Sequence, residues 1–280
     1  MKEITISAKN LWRPSPGQPN SKWLTATKEA TAVNSLKPFF TFYGGKWRAA
    51  PHYPAPMHGT IVEPFAGSAG YSMRYPDRRV VLVEKDPLVA ATWRYLLRVT
   101  PAEILALPDI ASGQTVDTLG VPEEAQLLIG WWCNKGSAAP KRSPGSNMRK
   151  SLAGLTKRDP PSGWWGAAIR ERIASQVGRI RHWTLIEGDY DQAPAVEATW
   201  FVDPPYQVAG KHYRYSDVDY GRLAQWCGVW PGQVIVCENV GAEWLPFRPW
   251  RDIKASEAKH GGKVSREAIW VRGCEQGGDQ

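Results

Sequence analysis

A chain of 280 residues can bury a sizeable core, as one large domain or one domain carrying an insertion. Its 42% hydrophobic and 22% charged content is that of a globular protein, and the sequence offers neither a run of about 18 apolar residues to span a membrane nor a signal-peptide core. The net charge of +8 and a pI near 9.3 favour a polyanionic partner, nucleic acid before membrane, and fifteen tryptophans supply flat faces for stacking on bases.

Four scattered cysteines (Cys133, Cys227, Cys237 and Cys274) show no CxxC spacing, so neither a zinc site nor a disulfide framework is expected, and a cytoplasmic setting fits. Residues 1–36 are polar and read as an extended arm followed by a short helix over about 21–35. At 37–48, LysProPhePheThrPheTyrGlyGlyLysTrpArg carries aromatics into a Gly44-Gly45 pair and Lys46, a tight turn that presents an ammonium group. The GxxxxGK[ST] spacing of a phosphate-binding loop is missing.

ThrIleValGluProPheAlaGlySerAlaGly at 60–70 reads as a strand, a glycine loop and a helix running to about Arg74. Such a loop lets a nucleotide-type cofactor touch backbone, because the side chains that would block it are absent. A second apolar strand at 80–86 ends in Glu84 and Asp86, about 20 residues past the loop, where an acid accepts hydrogen bonds from ribose hydroxyls. Helices are expected over 87–98, with Pro87 in the first turn, and over 122–133.

Between Asn134 and Ser162 the composition changes: Lys135, Lys141, Arg142, Arg149, Lys150, Lys157 and Arg158 stand against Asp159 alone, +6 of the chain's +8. Rich in Gly, Ser and Pro, this segment reads as a weakly structured loop suited to a phosphate backbone. Ser162 is expected to cap an amphipathic helix over 163–180, with Trp165, Ile169, Ile173, Val177 and Ile180 on its core face.

A third strand over 183–186 precedes Glu187-Gly188-Asp189-Tyr190, and the apolar run 198–202 ends in Asp203-Pro204-Pro205-Tyr206. The prolines stop the strand abruptly, so Asp203 and Tyr206 project at a strand's C-terminal edge, where open α/β sheets bind ligands. A helix over 217–230, a strand over 233–237 and a last strand over 267–271 in a hairpin complete an α/β body with a mainly parallel sheet.

Taken together, PheTyrGlyGlyLys at 42–46, GluProPheAlaGlySerAlaGly at 63–70, Glu84–Asp86, GlyAspTyr at 188–190 and AspProProTyr at 203–206 resemble the Dam-type DNA adenine methyltransferases. The match spans about 37–271 in the order of the alpha group of amino-methyltransferases. The resemblance implies a Rossmann-like S-adenosylmethionine-dependent sheet over 37–90 and 183–280, behind an N-terminal arm at 1–36, with 91–182 as a mostly helical DNA target-recognition insertion. It implies that Phe42, Gly44, Gly45 and Lys46 approach the amino-acid end of S-adenosylmethionine. Glu63, Pro64, Phe65, Ala66 and Gly67 would wrap the same cofactor, Glu84 and Asp86 its ribose, and Asp189 and Tyr190 its adenine. Asp203, Pro204, Pro205 and Tyr206 would be the catalytic motif, with Asp203 also touching the cofactor.

The family's substrate is a flipped adenine in double-stranded DNA, methylated at N6 by a monomer or weak dimer in a prokaryotic cell or phage-infected host; standalone methylases and restriction-pair partners share the pattern. Two departures stand out: Glu84 replaces the more common Asp, and the recognition insertion matches no known target sequence, so site specificity stays open; Asp189-Tyr190 stands where relatives often have AspPhe. Methylation at carbon 5 of cytosine needs a cysteine nucleophile, and no Pro-Cys pair exists here. Cytosine-N4 methylation usually carries Ser in place of Asp203. RNA adenine methylation uses similar motifs. A DNA-binding protein with a decayed methyltransferase fold is the non-enzyme alternative, against which the intact Lys46, glycine loop and Asp203 speak.

Overall fold

A computed structural model describes residues 34–155, 163–208, 213–254 and 264–273. The arm and helix expected over 1–35 fall almost wholly outside the described residues, as do Lys157, Arg158 and Ser162. Strands β1 (Thr60–Glu63), β2 (Arg79–Glu84), β3 (Thr184–Glu187), β4 (Ala198–Val202), β5 (Gly232–Asn239), β6 (Arg248–Lys254) and β7 (Val264–Arg272) form one sheet in the order β3-β2-β1-β4-β5-β7-β6. Strands β1 to β5 pair in parallel, and β7 inserts antiparallel between β5 and β6. This is an α/β, Rossmann-like sheet.

The alternation of side chains along each strand divides the core in two. Ile61, Phe201, Ile235 and Ile269 face one apolar cluster, and Val62, Trp200, Val202, Val234 and Val236 face the other. All of β4 is buried, and burying Phe201 or Val202 contributes roughly 1.5–3 kcal/mol each. Helices α1 (Pro87–Arg98), α2 (Pro101–Ala106), α3 (Glu123–Cys133), α4 (Ser146–Leu152) and α5 (Ala167–Val177) supply Trp93, Leu96, Ile104, Trp131, Met148 and Ile173 to the first cluster. Helix α6 (Tyr220–Val229) supplies Leu223 and Cys227 to the second. Among the described residues, no helix is long and apolar enough to cross a membrane.

Three local expectations are corrected. The helix expected after the glycine loop is a single 3-10 turn, Ser72–Arg74. Glu63 accepts the Ser72 N–H at 2.7 Å and Arg74 donates to the Trp47 carbonyl at 2.6 Å, while Pro76 bars a longer helix. The helix expected from residue 163 begins at Ala167, because Gly166 is extended and Trp165 turns its indole N–H to the Pro108 carbonyl at 2.8 Å. The basic segment is not a plain loop: it contains α4 and is pinned by Lys141 N to Gly130 O at 3.1 Å and Gly145 N to Cys133 O at 2.9 Å. With Met148 buried beside the tryptophans of α3, apolar burial offsets the ordering cost that its Gly, Ser and Pro content implies.

Candidate active site

Strand β1 has β2 on one side and β4 on the other, so the chain's winding direction reverses there and opens a crevice beyond their C-terminal ends. Glu63 closes β1, Glu84 closes β2 and Asp203 follows β4, which brings three carboxylates from distant sequence to one edge. A cavity of about 300 Å³ lies there. Its lining includes all fourteen residues singled out for cofactor contact: Phe42, Gly44, Gly45, Lys46, Glu63, Pro64, Phe65, Ala66, Gly67, Glu84, Asp86, Asp189, Tyr190 and Asp203. Of the AspProProTyr residues, Asp203 and Pro205 line it and Pro204 and Tyr206 do not.

The Gly-Gly turn carries Lys46 inward rather than to solvent. Its ammonium donates to the Gly44 carbonyl at 2.9 Å and to Asp203 Oδ2 at 2.8 Å, and the Lys46 and Asp203 side chains are only 9% and 17% exposed. Burial works against the Lys46 charge, but Asp203 and neighbouring groups outweigh it and hold the ammonium protonated above lysine's ordinary range. Burial likewise pushes Asp203 upward, opposed by Lys46. Asp203 Oδ1 also lies 2.7 Å from the ammonium, so the one Lys46 charge stands against both carboxylate oxygens. Each carboxylate oxygen keeps a second lone pair beside such a pairing, which can accept an incoming N–H.

Tyr206 is fixed from two sides. Lys46 Nζ sits 4.8 Å from its ring centroid, and its hydroxyl donates to Glu267 Oε2 at 2.5 Å. Burial, then the Asp203 carboxylate, keep this phenol protonated. The Tyr220 hydroxyl donates to the Pro205 carbonyl at 2.7 Å, and Glu238 accepts the Gln207 N–H at 3.0 Å, so the turn leaving β4 is braced at successive residues.

The glycine loop passes over β1 and β2. Glu84 accepts the Gly67 N–H at 2.8 Å through Oε2 and the Asp86 N–H at 2.8 Å through Oε1, which leaves each oxygen a lone pair. Burial raises Glu84 to about 7 against these two bonds, and raises Glu63 to about 8 against its bonds with Ser72. Asp86 caps α1 by accepting the Leu88 N–H at 2.9 Å. Asp189 accepts the Tyr190 N–H at 2.8 Å and pairs with Lys85 at 2.6 Å. Tyr190 stacks on Phe65 with ring centroids 5.4 Å apart, two flat faces on the cavity wall.

The cavity also recruits residues without a motif: Tyr213, Arg214, Tyr215, Asp217, Val218, Asp219 and Arg222, from the chain returning after β4. Their only sequence signal is an alternation of aromatic and charged residues downstream of AspProProTyr. The acids Glu238 and Glu267, both buried, were equally unmarked. The described basic residues Lys135, Lys141, Arg142, Arg149 and Lys150 do not line the cavity, yet their segment reaches it: the Tyr43 N–H donates to the Ser137 carbonyl at 3.1 Å and Ala138 is part of the lining. Lys135 sits over the Trp164 ring at 4.5 Å, Arg142 pairs with Asp117 at 2.7 Å, and Arg149 donates to the Pro144 carbonyl at 2.6 Å. Lys141 and Lys150 are exposed.

No family model matches the chain, and no curated protein does. Among solved structures, similarity is found to a conserved hypothetical protein from Streptococcus pyogenes, at 11% identity and a TM-score of 0.29 over 76% of this chain and 83% of that one. It is also found to the rRNA methyltransferase aviRa from Streptomyces viridochromogenes, at 13% identity and a TM-score of 0.36 over 91% of this chain and 93% of that one. Likenesses of this degree carry no argument about activity or substrate.

Proposed function

We propose that the chain is an S-adenosylmethionine-dependent methyltransferase acting on the N6 amine of a flipped adenine in double-stranded DNA. The observation that carries this reading is the buried Lys46–Asp203 pair at the cavity, where the Asp203 carboxylate keeps lone pairs for an incoming N–H beside its ion pair. The lining also fits a cationic cofactor: seven acidic side chains (Glu63, Glu84, Asp86, Asp189, Asp203, Asp217 and Asp219) stand against four cations (Lys46, Lys85, Arg214 and Arg222), and burial holds Glu63 and Glu84 ready to ionise beside a positive ligand. S-adenosylmethionine, when bound, supplies an electrophilic methyl group on a sulfonium. Glu63 and the Gly-Gly-Lys turn would hold its amino-acid end, Glu84 its ribose hydroxyls, and Asp189 with Phe65 and Tyr190 its adenine.

An adenine amine is a poor nucleophile because its lone pair is delocalised into the ring. Asp203 Oδ1 and the Pro204 carbonyl, accepting its two N–H bonds, draw the nitrogen toward tetrahedral geometry and free that lone pair. The methylated amine is strongly acidic, so its surplus proton leaves readily, and catalysis is positioning plus electrostatics. Lys46 keeps Asp203 in place, and Tyr206, held by Glu267, gives the target base a ring to stack on once it has left the duplex. The basic segment around 134–155, within the proposed recognition insertion 91–182, would follow the DNA backbone beside the cavity mouth.

Sequencing that detects N6-methyladenine in DNA from cells expressing the chain tests the whole reading. Methylated adenine at a defined site supports it. A mark found in RNA alone reassigns the substrate, and no mark in either removes the activity.

A further inference from the structure

Two glycines in the cavity wall are empty places occupied by aromatic rings from elsewhere. A Cβ on Gly67 would lie 3.1 Å from the Phe42 ring. A Cβ on Gly44, whose φ is +73°, would lie 2.1 Å from the Tyr213 hydroxyl oxygen and 3.4 Å from Cζ. The two rings are themselves neighbours, with centroids 6.0 Å apart, and Tyr43 adds an edge contact to Tyr213 at 5.6 Å. Gly67, Phe42, Tyr213 and Gly44 thus form a continuous wall from the glycine loop to the Gly-Gly-Lys turn. One residue further on, Arg214 Nη1 lies 3.9 Å from Asp86 Oδ1, which ties the same returning chain to the end of β2.

Resting on the methyltransferase reading above, we infer that Tyr213 is a further cofactor-binding residue, whose ring completes the wall at the amino-acid end of the cavity through the space left by Gly44. The hydroxyl contributes little to this role: its hydrogen bond to the Tyr43 carbonyl is long, at 3.4 Å. The ring is what matters, as a flat face against a cationic ligand and as a barrier to water. Gly44 then serves two ends at once, a left-handed turn that aims Lys46 at Asp203 and a vacancy for Tyr213.

Calorimetric titration of S-adenosylmethionine into the full-length chain and its variants tests this. Tyr213→Ala is expected to bind about tenfold more weakly or worse, and Tyr213→Phe within about threefold of wild type. DNA affinity by fluorescence anisotropy is expected to stay unchanged in both, and the ligand-free melting temperature to hold in Tyr213→Phe and to fall in Tyr213→Ala, which loses its ring contacts with Phe42 and Tyr43; retained DNA affinity separates this from general unfolding. Should Tyr213→Ala fold poorly, Tyr213→Leu carries the test, since it keeps apolar volume without the flat ring and is expected to lose affinity as Tyr213→Ala does. Equal affinity of wild type and Tyr213→Ala, or of wild type and Tyr213→Leu, overturns the role of Tyr213. Absence of S-adenosylmethionine binding by the wild-type chain overturns the methyltransferase reading itself, and this role with it.

Discussion

Lys46 and Asp203, 157 residues apart in sequence, meet at 2.8 Å inside the protein, each the other's compensation for leaving water. A pair with side chains 9% and 17% exposed is expensive to break from one side, since the survivor is a buried and unmatched charge. Asp203→Leu and Lys46→Met are each expected to lower stability by about 3–5 kcal/mol. The Lys46→Met/Asp203→Leu double variant is expected to regain much of that loss, while all three lack methyl transfer. Urea unfolding with a radiolabelled methyl-transfer assay checks both halves. Additive single losses in the double variant would show that the two charges are not coupled.

The protonation of Glu63 sets a second expectation. Burial lifts its carboxyl from 4.5 to about 8, so across that window the folded chain holds a proton that the unfolded chain has lost. Stability therefore falls as pH rises from about 4.5 through about 8, the reverse of an ordinary salt-bridged acid. Glu84 adds the same sign up to about 7. The ligand-free melting temperature is expected to drop between about pH 6 and about pH 8.5, and Glu63→Gln to flatten the decline. A cationic ligand favours the carboxylate, so affinity for S-adenosylmethionine is expected to rise over the same range with release of a proton. Calorimetry in buffers of different ionisation enthalpy measures that proton, and its absence would exclude Glu63 as the titrating group.

How much of this was legible in the sequence follows from the range of the interactions involved. The run 198–202 is apolar at every position but Thr199 and stopped by two prolines, so local chemistry alone defines β4 and its exit. Helix α1 likewise begins where Asp86 and Pro87 say it should. Thr100 and Glu103 form a capping box whose pattern stands in the sequence, but the helix it starts is six residues long and presents almost no periodicity. The turn at Ser72–Arg74 was not legible, because Glu63 and Trp47, which hold it, are remote. Tyr213 and Glu267 belong to the site for the same reason: strand order, not a motif, brings them to Lys46 and Tyr206.

The basic segment is expected to contribute unequally to nucleic-acid binding. Arg142 is already paired with Asp117, Arg149 bonds a carbonyl, and Lys135 lies over Trp164. Lys141 and Lys150 are exposed, with no ion pair among the described residues. Replacing these two by glutamine is expected to reduce the slope of log K against log salt by about 0.9 for each phosphate no longer neutralised. The ligand-free melting temperature should not change. An unaltered slope in the double variant would exclude Lys141 and Lys150 from contact with the DNA backbone.

Gly70 gives the sharpest steric test of how the two cofactor motifs fit together. A Cβ there would lie 2.5 Å from the Trp47 amide nitrogen and 2.9 Å from the Lys46 backbone N and C, all main-chain atoms of the Gly-Gly-Lys turn. No side chain can rotate away to make room, so Gly70→Ala must push the turn outward. Overpacking of this kind costs about 1–3 kcal/mol, and a displacement of about 1 Å at Lys46 is enough to lower turnover on the order of a hundredfold. Gly113→Ala is the control, since a Cβ at Gly113 meets nothing within 4 Å. Melting temperature and methyl-transfer rate are both expected to fall in Gly70→Ala and to hold in Gly113→Ala. If Gly70→Ala matches wild type in both, the glycine loop and the Lys46 turn are not in the close contact from which the site geometry is built.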